Sequence, residues 1–225
     1  MIGTIVNTGT ILAGSIIGSV AKKGIRPKYQ DALFTAMGLA ATALGINTVV
    51  QNMPQSKYPV LFIISLAAGS FAGTVLNLDG RFKGAAEKFG SSELAQGLST
   101  AILLFCIGTL SILGPMESAL HNDHTYLFTN ATLDFVTSMV LASTYGIGIA
   151  AAAGVLFLWQ GAIYLGAGAL SGFLTADLLT EISIIGGILI ASSGISILNI
   201  KDCKTLNMLP SLLVPVIWFI ILSLF

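Results

Sequence analysis

Residues 129–148 read TNATLDFVTSMVLASTYGIG. The stretch is apolar enough to be a membrane helix, yet it carries one carboxylate, Asp134, among Thr129, Asn130, Thr132, Thr137, Ser138, Ser143 and Thr144. It ends in two glycines, Gly146 and Gly148, where helix is weakened and Ser/Thr hydroxyls bond back to freed carbonyls. Asn130 and Asp134 are four residues apart, so they share a helix face. An ionisable side chain inside a span is costly unless satisfied, and it marks a site by default. The plainer reading is an Asp that caps a helix or bonds a neighbouring helix at the interface.

The surrounding composition makes the membrane reading firm. The chain has 225 residues, 55% hydrophobic and only 9% charged, with 25 glycines. Mean hydropathy is +0.90. Ten basic and ten acidic side chains cannot cover a water-exposed globule of this size. A soluble enzyme and a disordered chain are excluded. A nucleic-acid binder needs a concentrated basic face, and net charge here is zero with scattered Lys and Arg. The expected class is an all-α, polytopic transmembrane helix bundle forming a single integral membrane domain, 1–225.

Eight apolar segments, near 1–21, 32–51, 58–77, 94–113, 126–147, 150–170, 179–200 and 208–225, are long enough to span a bilayer. Seven is the alternative, because no charge separates the fifth from the sixth. Residues 126–170 then read either as two spans or as one span plus a re-entrant half-helix, broken near 143–148. Loop charges orient the bundle. With eight spans and both termini outside, nine of the ten basic residues are cytoplasmic, so positive-inside selects N-out/C-out. Residues 78–92 have Leu78, Phe82, Ala85 and Phe89 at helical spacing beside Arg81, Lys83 and Lys88. They read as an amphipathic segment at the interface or as a solvated connector.

Two self-similarities recur. LAGSIIGSV (12–20) resembles AAGSFAGTV (67–75), each a Gly-x-x-x-Gly face: Gly14 and Gly18, Gly69 and Gly73. Such faces suit close packing within the bundle or a homodimer contact. MGLAATALGI (37–46) resembles GGILIASSGI (186–195), and YPVLFIISL (58–66) resembles VPVIWFIIL (214–222). Spans 1–3 and 6–8, within halves 1–77 and 150–225, would then be an inverted repeat, a recurrent plan of secondary transporters.

Other polar residues weigh less. Gln160 lies mid-span beside Trp159, as pathway lining or interhelical glue. Asn7 and Asn47 read similarly. Asp31, Asp177 and Glu181 fall at span ends, as solvated caps or as favourable charges at helix N-termini. His121, Asp123 and His124 could ligate a metal but read better as a solvated loop. Cys106 and Cys203 are not a disulfide framework. No G-x-S-x-G, H-E-x-x-H or Walker A motif occurs, so no enzyme, cofactor or metal site is expected.

The order TAILLFCIGTLSILG (100–114), NDH (122–124), LD (133–134), ASTYGIGI (142–149) and WQG (159–161) resembles the prokaryotic membrane family designated domain of unknown function 554. GTIVNTGTILAGSIIG at the amino end, GGILIASSGISIL (186–198) and NMLP (207–210) fit it as well. The resemblance spans nearly the whole chain. It implies a multi-pass protein of the cytoplasmic (inner) membrane, in a family regarded as transport proteins, with no established substrate. Where that family's pattern G-x-x-x-G-E carries a carboxylate, this chain has Thr74 after Gly73, which shifts weight to Asp134. The expectation is a secondary transporter or channel-like carrier of a small solute or ion, its site joining Asn130, Asp134, Ser143, Thr144 and Gln160 around the break at Gly146 and Gly148. The alternative is a non-transporting membrane scaffold or accessory subunit.

Overall fold

The computed structural model describes residues 1–22, 27–86, 92–107, 109–170 and 173–223. Its α-helices are α1 (Ile2–Lys22), α2 (Pro27–Asn52), α3 (Leu61–Val75), α4 (Leu78–Ala86), α5 (Ser92–Ile107), α6 (Thr109–Leu120), α7 (Thr125–Tyr145), α8 (Ala151–Leu170), α9 (Ala176–Ile197) and α10 (Leu213–Ser223). Short 3-10 segments occupy Met53–Gln55, Ile147–Ala150 and Thr205–Leu212. Among the described residues there is no strand. An all-helical answer follows from the solvent: lipid offers backbone groups no partner, so each segment satisfies its own.

The interior combines hydrophobic clusters around Phe105, Ile112 and Leu189 with buried polar side chains, while large apolar side chains cover the outside. Leu165, Phe71 and Leu158 are 80%, 74% and 72% exposed. Such an apolar exterior suits hydrocarbon, not water. α9 is the central helix, buried over most of its length, with α2 and α5 packed against it.

Glycines decide the close contacts. On α1 the buried stripe is Gly3, Thr4, Asn7, Ile11, Gly14, Ser15 and Gly18. Gly3 lies on Leu127, Gly14 on Phe135 and Ser138, and Gly18 on Met139, so α1 and α7 run parallel. A methyl group at Gly14 or Gly18 would collide with the α7 backbone. α2 and α9 cross antiparallel: Gly38 meets Gly194 and Leu198, while Gly45 meets Gly187 and Ala191. α3 packs antiparallel on Thr205–Leu212, Gly69 against Ser211 and Gly73 against Asn207. All four Gly-x-x-x-Gly positions thus make close contacts within the chain.

Several expected boundaries change. Four helical segments among the described residues are long and apolar enough to cross a membrane: Ile2–Lys22, Ile147–Ala169, Ala176–Ile197 and Thr205–Leu222. Leu94–Cys106 and Leu110–Leu120, bent by 44°, make a fifth if taken as one span. The count of eight is not reached on this criterion. α3 has only 15 residues, because Pro59 lies outside it, and α2 and α7 are diluted by polar side chains. The single segment 94–113 is two helices, reaching Leu120. The segment 208–225 starts as 3-10 turns containing Pro210, which has no N–H to donate. In the region 78–92, α4 half-buries Leu78 and Phe82 and exposes Arg81; Phe89 lies outside the described residues.

Candidate functional site

α7 reaches Tyr145 without interruption, and there Gly146 takes φ 95°, a conformation open to glycine at little steric cost. The chain then makes one 3-10 turn, Ile147–Ala150, and enters α8. Residues 126–170 are therefore two helices joined by a tight corner. Gly148 lies within the 3-10 turn, against the Leu94 side chain.

Asp134 is 5% exposed, on the α7 face that meets α1. The Asn130 amide donates to Asp134 Oδ2 at 2.9 Å, the i to i+4 contact that helical spacing requires. Across the seam, the fully buried Asn7 side chain is close enough to act on the same carboxylate, although neither of its polar atoms makes a hydrogen bond among the described residues. Cys106 of α5 lies within electrostatic reach of it. Ser138 is buried one turn further along. Two more α1 hydroxyls on the buried stripe, Thr4 Oγ1 and Ser15 Oγ, make no hydrogen bond among the described residues. Buried polar atoms are nearly always paired in folded proteins, so these two hydroxyls on the α1 stripe are exceptions to the rule.

The other expected members lie elsewhere. The Ser143 and Thr144 hydroxyls donate to Val140 O at 2.7 and 3.3 Å. They are nine and ten residues beyond Asp134, about 14 Å along the helix axis. Gln160 Nε2 donates to Ser111 Oγ of α6 at 3.2 Å, and Gln160 Oε1 has no partner among the described residues. The five residues expected as one site form three groups: the Asn130–Asp134 pair, the hydroxyls near the corner, and Gln160 with Ser111. Asn7, read in sequence as minor, is the one that joins Asp134. The available signal was its place on the stripe that holds Gly3, Gly14 and Gly18.

Of the acidic residues at span ends, Glu181 is not solvated, whereas Asp177 stays partly exposed in the first turn of α9, where its charge suits the helix N-terminus. Glu181 is 2% exposed and accepts from Ser56 Oγ at 2.6 Å. Asp177 pairs with Lys57 at 2.7 Å, and this contact holds the Lys57 ammonium above its ordinary range. The α9 N-cap is Thr175, whose hydroxyl accepts from the Leu178 N–H. Asp31's side chain lies outside the described set. Asn47 is exposed. In the loop, His121 Nδ1 faces Glu117 Oε2 at 2.7 Å and His124 Nδ1 faces Ser118 Oγ at 2.9 Å. Asp123 accepts from the Thr125 N–H. These three do not converge, and no metal-holding group of His, Cys, Asp or Glu occurs among the described residues. Both cysteines are free thiols.

Three cavities lie away from Asp134. An apolar groove of about 390 Å³ separates α3 from α10, with Tyr58 edge-on to Trp218 and Phe219 above it. The other two are polar and flank the 201–205 turn.

The family model described as "Protein of unknown function (DUF554)" matches residues 2–220. The chain belongs to the DUF554 family. It is 62% identical to a Bacillus subtilis (strain 168) relative named "Uncharacterized membrane protein YdfK" over 222 residues, covering 98% of this chain and 97% of that one. "Uncharacterized protein YqgA" of Escherichia coli (strain K12) is 26% identical over 220 residues, covering 95% and 94%. No solved structure matches the chain. With its apolar exterior and membrane-length helices, this DUF554 chain is an all-helical membrane protein.

Proposed function

We propose that the chain is a secondary carrier of a small solute or ion across the cytoplasmic membrane, with Asp134 as the group that takes up a proton or cation. The observation that carries this reading is the buried Asp134 carboxylate, held by Asn130 and faced by Asn7, with the unpaired Thr4 and Ser15 hydroxyls on the opposing stripe. No basic side chain among the described residues reaches it. A carboxylate so placed is stable when it binds a proton or a small cation. The Asn130 amide orients it, and the Asn7 amide, across a two-helix seam, tightens or releases with any shift of α1 against α7. Ser143, Thr144 and the Gly146 corner would serve the far end of the same helix, and Gln160 a branch towards α6.

An eight-span, N-out/C-out path belongs to this proposal. Three helix pairs support the alternation of eight spans, and the loop charges support its orientation. α1 runs parallel to α7, α2 antiparallel to α9, and α3 antiparallel to Thr205–Leu212. Those are the directions required if α5 and α6 together count as one span and the chain alternates sides throughout. The inverted repeat has support of the same kind. Gly38 aligns with Gly187 and Gly45 with Gly194, and the contacts are reciprocal, Gly38 on Gly194 and Gly45 on Gly187. A local two-fold axis through the α2–α9 crossing produces that pattern.

The test is transport in proteoliposomes with an imposed pH or Na+ gradient, read by an entrapped dye. Wild type should dissipate the gradient or drive solute uptake with it, and Asp134→Asn should fall to the empty-vesicle rate while eluting as folded protein. Equal, pH-independent rates in both would remove Asp134 from the mechanism, and a wild type no faster than empty vesicles under every gradient and solute would leave the scaffold reading.

A further inference from the structure

The turn that leads from α9 into the Thr205–Leu212 segment is tied down at several points. The Ser196 hydroxyl, at the end of α9, accepts from the Cys203 N–H at 3.0 Å. Asp202 Oδ1 accepts from the Lys204 N–H at 3.0 Å, and Lys204 O accepts from the Asn207 N–H at 2.8 Å. Lys204 takes φ 47°, a left-handed conformation that is uncommon for a lysine and that these bonds impose. The turn therefore presents Lys201 and Lys204 in a fixed way to a cavity of about 260 Å³, whose other side is the end of α3.

Most polar groups in this wall have protons to give. Lys201 and Lys204 are exposed, and neither ammonium has a hydrogen bond or an ion-pair partner among the described residues. Ser70 and Thr74 are four apart on α3, hence on one face. Ser65, on the same helix, spends its proton on Leu61 O at 2.8 Å. The Ser70 and Thr74 hydroxyls make no hydrogen bond among the described residues, so their protons are uncommitted. Asn207 is only 6% exposed, and its Oδ1 is taken by the Asp79 N–H at 2.8 Å. That bond fixes which way the amide faces, and it leaves Nδ2, with no hydrogen bond among the described residues, as the unsatisfied end. Asp202 is the opposing charge in the wall. Its carboxylate is already engaged by the turn, and two ammoniums outweigh it.

Uncommitted N–H and O–H groups under net positive charge suit a phosphate, whose oxygens each accept such bonds. The rim narrows the source. Phe71 follows Ser70, Val75 follows Thr74 and Ile200 precedes Lys201, and all three are exposed apolar side chains. On a membrane protein such a rim lies among acyl chains, so the occupant is charged at one end and apolar at the other. We propose that this cavity binds the phosphate of an anionic phospholipid, whose chains lie over Phe71, Val75 and Ile200. Basic pockets beside membrane helices hold lipid headgroups in this manner. The phosphate bridges the end of α3 and the turn after α9, and so fastens two parts of the bundle to the leaflet. The orientation proposed above puts them on the cytoplasmic side. The site does not involve Asp134, so it stands or falls separately from the carrier reading.

The experiment uses full-length protein purified in a non-ionic detergent and stripped of lipid. Unfolding is followed by tryptophan fluorescence while dioctanoyl phosphatidylglycerol, dioctanoylglycerol or glycerol phosphate is added at constant ionic strength. The first carries phosphate and chains, the second chains alone, the third phosphate alone. Wild type should show a saturable rise in Tm with phosphatidylglycerol, none with dioctanoylglycerol, and a midpoint about tenfold higher or more with glycerol phosphate. Lys201→Gln combined with Lys204→Gln should raise the phosphatidylglycerol midpoint by about tenfold or more, and so should Thr74→Glu, which sets a carboxylate against the phosphate. Each variant changes only exposed side chains, and its Tm without lipid checks the fold. Lys22→Gln, at the end of α1, should leave the midpoint unchanged. An equal rise with dioctanoylglycerol would make the cavity an apolar cleft and overturn the proposal. Glycerol phosphate binding as tightly as the lipid would overturn it in favour of a free phosphate, and a comparable shift in Lys22→Gln would overturn it in favour of diffuse surface charge.

Discussion

The α1–α7 and α2–α9 seams use the same device and reach different ends. Both bring backbones together over glycine, at Gly14 and Gly18 in one and at Gly38, Gly45, Gly187 and Gly194 in the other. In α2–α9 the described contacts are glycine, small side chains and Leu198, with Thr42 bonded to its own helix at Gly38 O. Every polar atom named there is satisfied locally. In α1–α7 the close approach surrounds Asn7, Asn130 and Asp134, and the Thr4 and Ser15 hydroxyls make no hydrogen bond among the described residues. Packing alone explains the first seam. It does not explain the second, because van der Waals contact in lipid is obtained more cheaply without a carboxylate.

The largest effects should come from filling the glycines. Gly45→Leu and Gly18→Leu each drive a side chain into opposing backbone, and backbone cannot repack as a flexible side chain can. Both should abolish a monodisperse peak in size-exclusion chromatography. A folded Gly45→Leu protein would break the comparison, since α2–α9 would then not be a close-packed seam. Next comes the carboxylate itself. Asp134→Asn keeps the shape and should leave Tm near wild type, whereas Asn130→Ala removes the donor and should cost about 1–3 kcal/mol, read from thermal unfolding in detergent. Equal losses in both would make the pair purely structural and merge the two seams in kind.

Smaller still is the tie at the α9 start. Ser56→Ala removes the hydroxyl that donates to buried Glu181 and should lower stability by about 1 kcal/mol, again by thermal unfolding. No change would show that Tyr58 N–H, 3.4 Å from the same oxygen, suffices alone. The smallest effect is at the surface, just before α7. Thr125 holds the Asp123 carboxyl below its ordinary 3.8, through its side chain first and its N–H second. A depressed value stabilises the fold above the unfolded pKa, and that contribution is lost as pH falls through the folded one. Asp123→Asn should therefore lower Tm slightly near neutral pH, with the gap to wild type closing below pH 3.8. A gap that persists in acid would place the effect in the Asx turn and not in the charge.

How far the site could be read varies residue by residue. Asn130 with Asp134 was legible because a four-residue spacing is a distance within one helix. The break at Gly146 was legible because Ser, Thr and Gly together disfavour continuing a helix. Grouping Ser143, Thr144 and Gln160 with them was a reading of proximity in the chain, and helical rise undoes it: nine residues along a rod is a long way. Asn7 is 127 positions from Asp134, and no local rule links them. Glu181 looked like a solvated cap because its partner Ser56 belongs to another hairpin. The bend between α5 and α6 and the 3-10 entry to α10 escaped notice for a similar reason, since apolar runs look continuous whether or not the backbone is.

The residues alone determined the solvent and the secondary structure. With 9% charge and long apolar runs, only helices that satisfy their own backbone survive in lipid. Glycine spacing determined that backbones would touch. Which backbones touch was decided only by the tertiary arrangement, because a Gly-x-x-x-Gly stripe is a flat surface with no address on it. The partner is chosen by the fit of all helices at once, and that choice sets Asn7 opposite Asp134.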